Sequence, residues 1–498
     1  MPAGPLTVQM QLHRRTTSTV VGSMSTETPL LYERVARLVK TQIDTGTLRA
    51  RDRLPSVRAM SRTAGVSVST VVQAYVHLEG IGLIEARPQS GFYVQAPSLQ
   101  QLPEPRPRVR RSAKPRAVAA EVLDTCREAF QEPSIVQLHG AFTAPAMYPN
   151  RRLNNLIREV LRDHPEHAGE LIMPPGDKEL RRQIAKRMAA AGAPTDPNDV
   201  VITGGTMDAI TMALHVLCRA GDTVLVESPT YFGILQVMEH LGLRLVEVPN
   251  HPAHGIDVEA VRAVVRNTKL ATAVLMPNCN NPTGSATSDD NKRELVAILT
   301  NAGVPIVEDD VYGDLYHSGS RPRSMRAFDE MGLVICCGSV SKTLALGYRI
   351  GWAVSPQFHT EIERAKFYSS VAAPTLQQRV LARYYASGGY DRYLRGMRRE
   401  IAANAHRFVD AIARYFPPGT RVARPAGGIV LWVELPAGVD GTELFRKALA
   451  SRIGILPGAV FSPKAEYRNY IRLNCGLPWT PTIERAVEKL GRMVAASD

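Results

Sequence analysis

The sequence predicts an α/β protein in two parts: a small N-terminal module of helices closed by a hairpin, and a large C-terminal domain around a mostly parallel sheet with a smaller α+β lobe at its end. Three observations predict this. The chain has 498 residues, too many for one ordinary domain. From about residue 130 onward, short apolar runs alternate with amphipathic helical patterns, the alternation that builds a parallel sheet covered on both faces. Between the parts, residues 98–118 read SLQQLPEPRPRVRRSAKPRAV, a composition that cannot form a core and reads as a semi-extended linker whose basic run can also touch DNA phosphates. The expected divisions are a disordered arm at 1–27, a compact unit at 28–97, a linker at 98–130 and the large domain at 131–498. Within the last, a large lobe covers about 140–365 and a small lobe about 366–498.

Hydrophobic residues make up 44% and charged residues 21%, so wholesale disorder is not expected. The formal net charge of +13 suits either a polyanionic partner, nucleic acid first, or a solvated basic surface. No apolar run reaches membrane-spanning length, and no membrane partner is expected. The first 27 residues lack the apolar core of a secretory signal; they read as an arm, or as the result of a start placed too early, with Met24 the alternative. Cys126, Cys218, Cys279, Cys336, Cys337 and Cys475 form neither a CxxC nor a Cys/His pair at zinc spacing. Reduced, mostly buried thiols in a cytoplasmic protein are expected, and no metal site.

In the leading unit, Leu31, Val35, Leu38, Val39, Gln42 and Ile43 fall at helical spacing, with Gly46 as a stop. LPSVRAMSRTAG supplies a second helix started near Ser56, and VSVSTVVQAYVHLEGIG a third with Ser67 as its N-cap. LIEARPQSGFYV reads as two strands around RPQSG. Three helices and a β-wing make a winged helix-turn-helix, whose third helix enters the major groove of double-stranded DNA. The run from Leu54 to Val94 closely resembles the DNA-binding domain of GntR-type regulators, and the likeness spans essentially all of 28–97. It implies DNA contacts from Arg58, from the segment holding Ser67, Ser69 and Thr70, and from the wing at Arg87 and Gly91. Two positions depart from the pattern: Val68 and Val72 stand where relatives carry basic residues. That shifts the expected DNA grip toward Arg58, Arg62, the wing and the linker.

In the large domain DVVITGG, DTVLVESP, ATAVLMPN, VPIVEDD and LVICCGSVS are short buried strands, with helices such as TMDAITMALHVLCRA and SDDNKRELVAILTNAG between them. GGIVLWVEL and YIRLNCG begin the strands of the smaller lobe. Lys342, in GSVSKTLALGYRIGW, is a candidate Schiff-base lysine, and pyridoxal phosphate is the common aldehyde cofactor for such an amine. The chemistry needs a phosphate cradle, an acid for the pyridine nitrogen and a flat group for the ring. TGGT at 203–206 ends a strand and opens a helix, so the backbone N–H groups at Gly205, Thr206 and Met207 suit a phosphate, with Ser339, Ser341 and Arg349 close in sequence to Lys342. A bare Gly-Gly before a helix is also an ordinary turn. Asp309 ends the strand VPIV, where open α/β sheets bind ligands, with Tyr312 three residues on. Asn281 and Tyr231 follow two further strands, placed for the phenolic oxygen and for stacking.

NNPTG, EDDVY and SVSKTLALGYRIGW match, in order and spacing, the blocks of the fold-type I, class I/II aminotransferase family, which the chain resembles over about residues 135–498. The resemblance implies Lys342 as the covalent anchor, Asp309 as the pyridinium partner, Asn281 and Tyr312 at the phenolic oxygen, Tyr231 on the ring, and Thr206, Met207, Ser339 and Arg349 at the phosphate. It implies Arg472 as the clamp on a substrate α-carboxylate; the alternative is a surface strand arginine. Leu171 stands where many relatives have a tyrosine that reaches across a dimer to the cofactor phosphate, which puts that contact and efficient transamination in doubt. A GntR-type winged helix joined by a basic linker to such a domain is the layout of MocR-type transcriptional regulators. That layout implies a head-to-tail homodimer that binds DNA and senses an amino acid or amine at Lys342. The rival reading is a working aminotransferase with a secondary DNA module, and a third is a cofactor-dependent sensor without turnover.

Overall fold

A computed structural model of the chain describes residues 31–45, 47–49, 52–80, 83–87, 90–94, 102–105, 118–464 and 466–497. The expected arm with Met24, the stop at Gly46 and most of the linker lie outside the described residues.

The leading unit contains α1 (Leu31–Asp44), α2 (Val57–Ala64), α3 (Val68–Gly80) and the antiparallel hairpin β1 (Ile84–Arg87) and β2 (Gly91–Val94). Local chemistry sets its boundaries. Ser56 Oγ accepts from Ala59 N–H (3.2 Å) at the start of α2, and Gly65, at φ +64°, ends it. Ser67 Oγ accepts from Thr70 N–H (3.2 Å) and opens α3. Val35, Val39, Met60, Val71, Tyr75, Leu78, Ile84 and Val94 form the core. The expected apolar face of α1 is narrower than its spacing suggested: Val35 and Val39 are buried, whereas Leu31 (56% exposed) and Leu38 (42%) are not. The principal partner of α1 is α3, and one helix covers only one narrow stripe of another.

The large domain opens with α4 (Val118–Ala129), a correction to the linker expected to run to 130. Val122, Cys126 and Ala129 of α4 are buried, the first two in the small-lobe core. Upstream, Pro103 O accepts from Val422 N–H (3.1 Å), so this part of the expected linker also lies against the small lobe. Next come β3 (Val136–Gln137), α5 (Asn150–Asp163), α6 (Lys178–Ala190), β4 (Val200–Thr203), α7 (Thr206–Leu217), β5 (Thr223–Ser228), α8 (Phe232–His240), β6 (Arg244–His251) and β7 (Gly255–Ile256). They are followed by α9 (Val258–Asn267), β8 (Thr272–Leu275), α10 (Asp289–Asn301), β9 (Ile306–Asp309), β10 (Val334–Ser339) and β11 (Gly351–Val354). The eight-stranded sheet has the order β4-β11-β10-β9-β8-β5-β6-β7. β11 is antiparallel to both its neighbours and β7 to β6; the other pairings are parallel. The five strands expected from the sequence are all present. β11 passes so close to the turn after β4 that a Cβ on Gly351 would fall 2.5 Å from the Gly205 carbonyl carbon.

The chain continues through α11 (His359–Ser370), α12 (Thr375–Ala386) and α13 (Gly389–Tyr415) to a small antiparallel sheet of β12 (Arg421–Val422), β13 (Val430–Glu434), β15 (Leu456–Pro457) and β16 (Tyr470–Asn474). α14 (Gly441–Ala450), β14 (Ile453–Gly454), which pairs with β3, and α15 (Pro481–Ala495) complete the lobe. The boundary expected at 366 needs correction. Val380, Leu381 and Tyr384 of α12 pack into the core of the large lobe with Leu153 and Leu180. α13 then bridges the lobes: Tyr390, Leu394, Met397 and Ile401 lie in the large-lobe core, Ala405, Phe408 and Ile412 in the small-lobe core. A 27-residue helix that serves two cores keeps its apolar spacing throughout, so periodicity cannot mark the division.

Candidate functional site

The ends of β4, β5, β8, β9 and β10 deliver side chains to one cavity of about 190 Å³. Thr206, Met207, Tyr231, Asn281, Asp309, Tyr312, Ser339, Ser341, Lys342 and Arg349, all expected from the sequence, line it; Met276, Val311 and Leu346 were not expected. Gly205 sits behind the wall, at φ +112°.

At the head of α7 the backbone turns through Gly204 and Gly205. A Cβ on Gly205 would lie 2.6 Å from Arg349 Nη2, so glycine is what lets the guanidinium rest against the helix start. Arg349 is in the left-handed region (φ +51°) and donates to Gly204 O (2.7 Å) and Ser341 Oγ (3.2 Å). Ser339 Oγ accepts from Ser341 N–H (3.3 Å). Asp208, which the sequence reading missed, accepts from Gly204 N–H (2.6 Å) and from the buried Lys366 Nζ (3.1 Å), locking the turn to α11. Its signal was an acid in the first turn of a helix that follows Gly-Gly.

Asp309 ends β9. It is buried and accepts from Val311 N–H (3.1 Å). Burial pushes its carboxyl up to about 7; the Val311 N–H and the Lys342 charge pull the other way, and Asp310 and Glu308 add to the rise. Lys342 Nζ donates to Ala141 O (2.6 Å) and lies 6.0 Å from the Tyr312 ring centre. Burial lowers its ammonium to about 8, with Arg472 and Arg349 acting in the same direction against Asp309.

Asn281 Oδ1 accepts from Arg472 Nη1 (3.1 Å). Arg472 lies on β16, is 2% exposed, and donates through Nη2 to Gly140 O (2.9 Å) and to His139 O. The surface-arginine alternative is therefore excluded. Its guanidinium stands behind Asn281 and is not part of the cavity wall. Glu227, buried at the end of β5 and also missed, accepts from Met276 N–H (2.9 Å) and Asn280 Nδ2 (2.9 Å) and so fixes the loop that presents Asn281. An acid inside the apolar run VLVES was the available signal.

These residues fit the pyridoxal phosphate that the resemblance implies. The buried hydroxyls of Tyr312 and Thr206 have no hydrogen-bond partner among the described residues. A guanidinium, two serine hydroxyls and a helix N-terminus converge where a phosphate needs donors. An amine and a buried carboxyl share the remaining wall.

The residues expected to contact DNA all lie in the leading unit. Arg58, Ser67, Ser69, Arg87 and Gly91 are exposed and Thr70 half-buried. Ser67 Oγ is 2.8 Å from both Ser69 Oγ and Thr70 Oγ1. Arg87 pairs with Glu85 (2.6 Å) and lies 4.3 Å over Tyr93. The Arg53 guanidinium lies beside Gly91 (φ +107°) of the wing, a basic group the sequence reading did not single out. The six cysteines are free and buried. No helix among the described residues is long and apolar enough to cross a membrane. Where no metal site was expected, the exposed His164 and Glu166 and the half-buried His167 have potential ligand atoms within 4.8 Å of one another.

Residues 149–490 match the family of class I and II aminotransferases, and residues 31–94 match the bacterial regulatory proteins of the gntR family. The HTH-type transcriptional regulator YjiR of Escherichia coli is 36% identical over 93% of this chain and 98% of its own. The regulator YdcR of the same organism is 34% identical over the same shares. The 2-aminoadipate transaminase of Thermus thermophilus is 30% identical but covers only 75% of this chain, with 94% of its own length matched. Among solved structures, kynurenine aminotransferase of Pyrococcus horikoshii, in complex with PMP, superposes with a TM-score of 0.71 at 25% identity, covering 76% of this chain and 94% of that one. The α-aminoadipate aminotransferase LysN of Thermus thermophilus, complexed with N-(5'-phosphopyridoxyl)-L-leucine, gives 0.70 at 28% identity over 76% and 96%. The enzymes cover about three quarters of this chain, whereas the regulators cover 93% of it. This chain therefore belongs to the class I and II aminotransferase family in its MocR-type branch, with a gntR-family DNA-binding domain at its N-terminus.

Proposed function

We propose that this protein is a pyridoxal phosphate-dependent, DNA-binding transcriptional regulator that senses an amino acid or amine at Lys342. The observation that carries the reading is the convergence of Lys342, Asp309 and the Arg349 cradle on one cavity, in a chain that also holds a winged helix. Bound pyridoxal phosphate supplies an aldehyde that condenses with amines and a ring that withdraws electrons. The N–H groups of Thr206 and Met207, with Ser339, Ser341 and Arg349, hold the phosphate. Asp309, buried and ready to take a cationic partner, would orient the ring nitrogen and keep its proton. Tyr231 would cover the ring, and Asn281 and the Tyr312 hydroxyl would meet its phenolic oxygen. Lys342 would anchor the aldehyde covalently through its amine. Arg472 binds the carboxylate of an amino-acid ligand once Asn281 moves aside or shares its bond.

The DNA-binding unit is assigned to 28–97 and the sensing unit begins at α4. The unit of function is a head-to-tail homodimer in the cytoplasm. Leu171 (61% exposed), Met173, Phe367, Tyr368 (80%) and Val371 support a second copy: all are apolar and exposed, and Ile172 N–H bonds Thr375 Oγ1 (3.1 Å), which brings the two segments together. Ligand binding acts on DNA only so far as it favours one arrangement of the lobes over another. α13, rooted in both cores, is one element that joins the lobes.

An aminotransferase reading draws on one observation, a Lys342 amine lowered to about 8 and therefore able to move a proton near neutrality. The test follows the holoprotein with candidate amino acids and amines, recording DNA binding and conversion of the cofactor to its amine form together. A DNA footprint altered by ligand with negligible turnover supports the regulator. Fast turnover with no sequence-specific footprint supports the enzyme.

A further inference from the structure

α3 divides into two faces. Val71, Ala74, Tyr75 and Leu78 point inward and complete the core of the unit. Facing outward on the first two turns are Ser69, Val68 (48% exposed), Val72 (42%) and the exposed Gln73. In a helix-turn-helix these N-terminal positions of the second helix meet base edges. The outward set has a defined chemistry. α3 contains neither lysine nor arginine, the side chains that pair with guanine O6 and N7. Its remaining basic group, His77, lies in the last turn, half-buried edge-on to Tyr32. Ser67 is spent on capping, through Thr70 N–H. Valine is a weak helix former, so helix stability does not explain two exposed valines one turn apart, and the core is closed without them.

We propose that α3 reads A·T base pairs, with Val68 and Val72 packed on thymine methyl groups and Gln73 bonded to an adenine edge. The major groove displays the thymine C5-methyl as its one apolar mark, and glutamine matches adenine N6 and N7. Phosphate contacts from Arg58, Arg53 and the wing then position α3 without specifying sequence. This inference rests on the DNA-binding reading above.

The experiment selects binding sites for the full-length holoprotein from random duplexes, then replaces thymine by deoxyuridine in the selected site, which removes only the methyl group. Half-sites rich in A·T are expected. Each critical substitution should weaken binding about fourfold, from roughly 0.8 kcal/mol per buried methyl or methylene. Val68→Ser and Val72→Ser should each lose the methyl dependence at one thymine position, and the double variant should bind the thymine and deoxyuridine duplexes alike; Val68→Arg should move the selected site toward guanine. Both valines are exposed, and an unchanged melting temperature verifies that the variants fold. Selected cores of G·C pairs, or equal binding of the thymine and uracil duplexes by the unaltered protein, overturn the inference and leave the DNA-binding reading intact. Selection of no sequence at all overturns both.

Discussion

Asp309 ends β9 and Lys342 follows the neighbouring parallel strand β10, with Cys337 of β10 in register with Asp309, and each favours the charged form of the other. Burial outweighs that attraction on both sides. It carries the carboxyl up to about 7 and the ammonium down to about 8. Burial thus favours the neutral form of both groups, a cost to folding that a cationic partner beside Asp309 would relieve.

The pH dependence of the apoprotein follows from that pair. Asp309 rises from 3.8 to about 7, so the native state holds a proton that the unfolded state has lost between those values. Its contribution to stability is complete below pH 4 and disappears as pH rises through 7. Glu227, pushed up to about 8 by burial, adds to the same slope. Asp309→Asn should flatten part of this slope in urea titrations. It should also raise the apoprotein melting temperature at pH 8 by a few degrees, at about 2–4 °C per kcal/mol for a large domain. The same variant should bind cofactor more weakly. A melting temperature at pH 8 that falls would contradict the assignment.

Lys342→Ala should abolish covalent attachment of the cofactor. Borohydride reduction of the holoprotein, followed by mass spectrometry of its peptides, should place the adduct on the peptide containing Lys342, and the variant should give none. An adduct that persists elsewhere removes Lys342 from the account.

Gly205→Ala tests the cradle. The new methyl would meet Arg349 Nη2 at 2.6 Å, and φ +112° is strained for alanine. Backbone strain of this kind costs on the order of 1–3 kcal/mol, so cofactor affinity should fall about 10- to 100-fold by fluorescence titration. Gly303→Ala, at φ +67° but with open space around it, should leave cofactor affinity unchanged and serves as the control.

Arg472→Lys separates ligands by their carboxylate. Removing a charge-assisted fork should weaken amino acids about 10- to 100-fold, from roughly 1.5–3 kcal/mol, while amines lacking a carboxylate keep their affinity. Equal losses for both ligand classes would assign Arg472 to support of Asn281 alone.

Much of this was legible in the sequence because the site is written in strand ends. Asp309, Asn281, Tyr231 and Ser339 each follow an apolar run whose length and boundaries announce a buried strand, and a parallel sheet gathers such ends at one edge. The same local grammar gave the Ser56 and Ser67 caps. What was hidden depends on tertiary partners. Lys366 reaches Asp208 across 158 positions, and Glu227 holds the Asn280 side chain from 53 away. Helix α4 looked like linker because its buried face is short, with Val122, Cys126 and Ala129 as its only buried described residues. The lobe boundary was missed because α13 belongs to both cores.

The central claim is that occupancy of Lys342 controls DNA binding. The direct measurement is the affinity of the holoprotein for its selected duplex, with and without amino acids and amines, beside the same titration of the Lys342→Ala variant. The account predicts that at least one ligand shifts the affinity of the unaltered protein severalfold, and that the variant binds DNA with no response to it. A ligand response that survives in the variant, or a holoprotein that turns its ligand over rapidly while its DNA affinity stays constant, would contradict it.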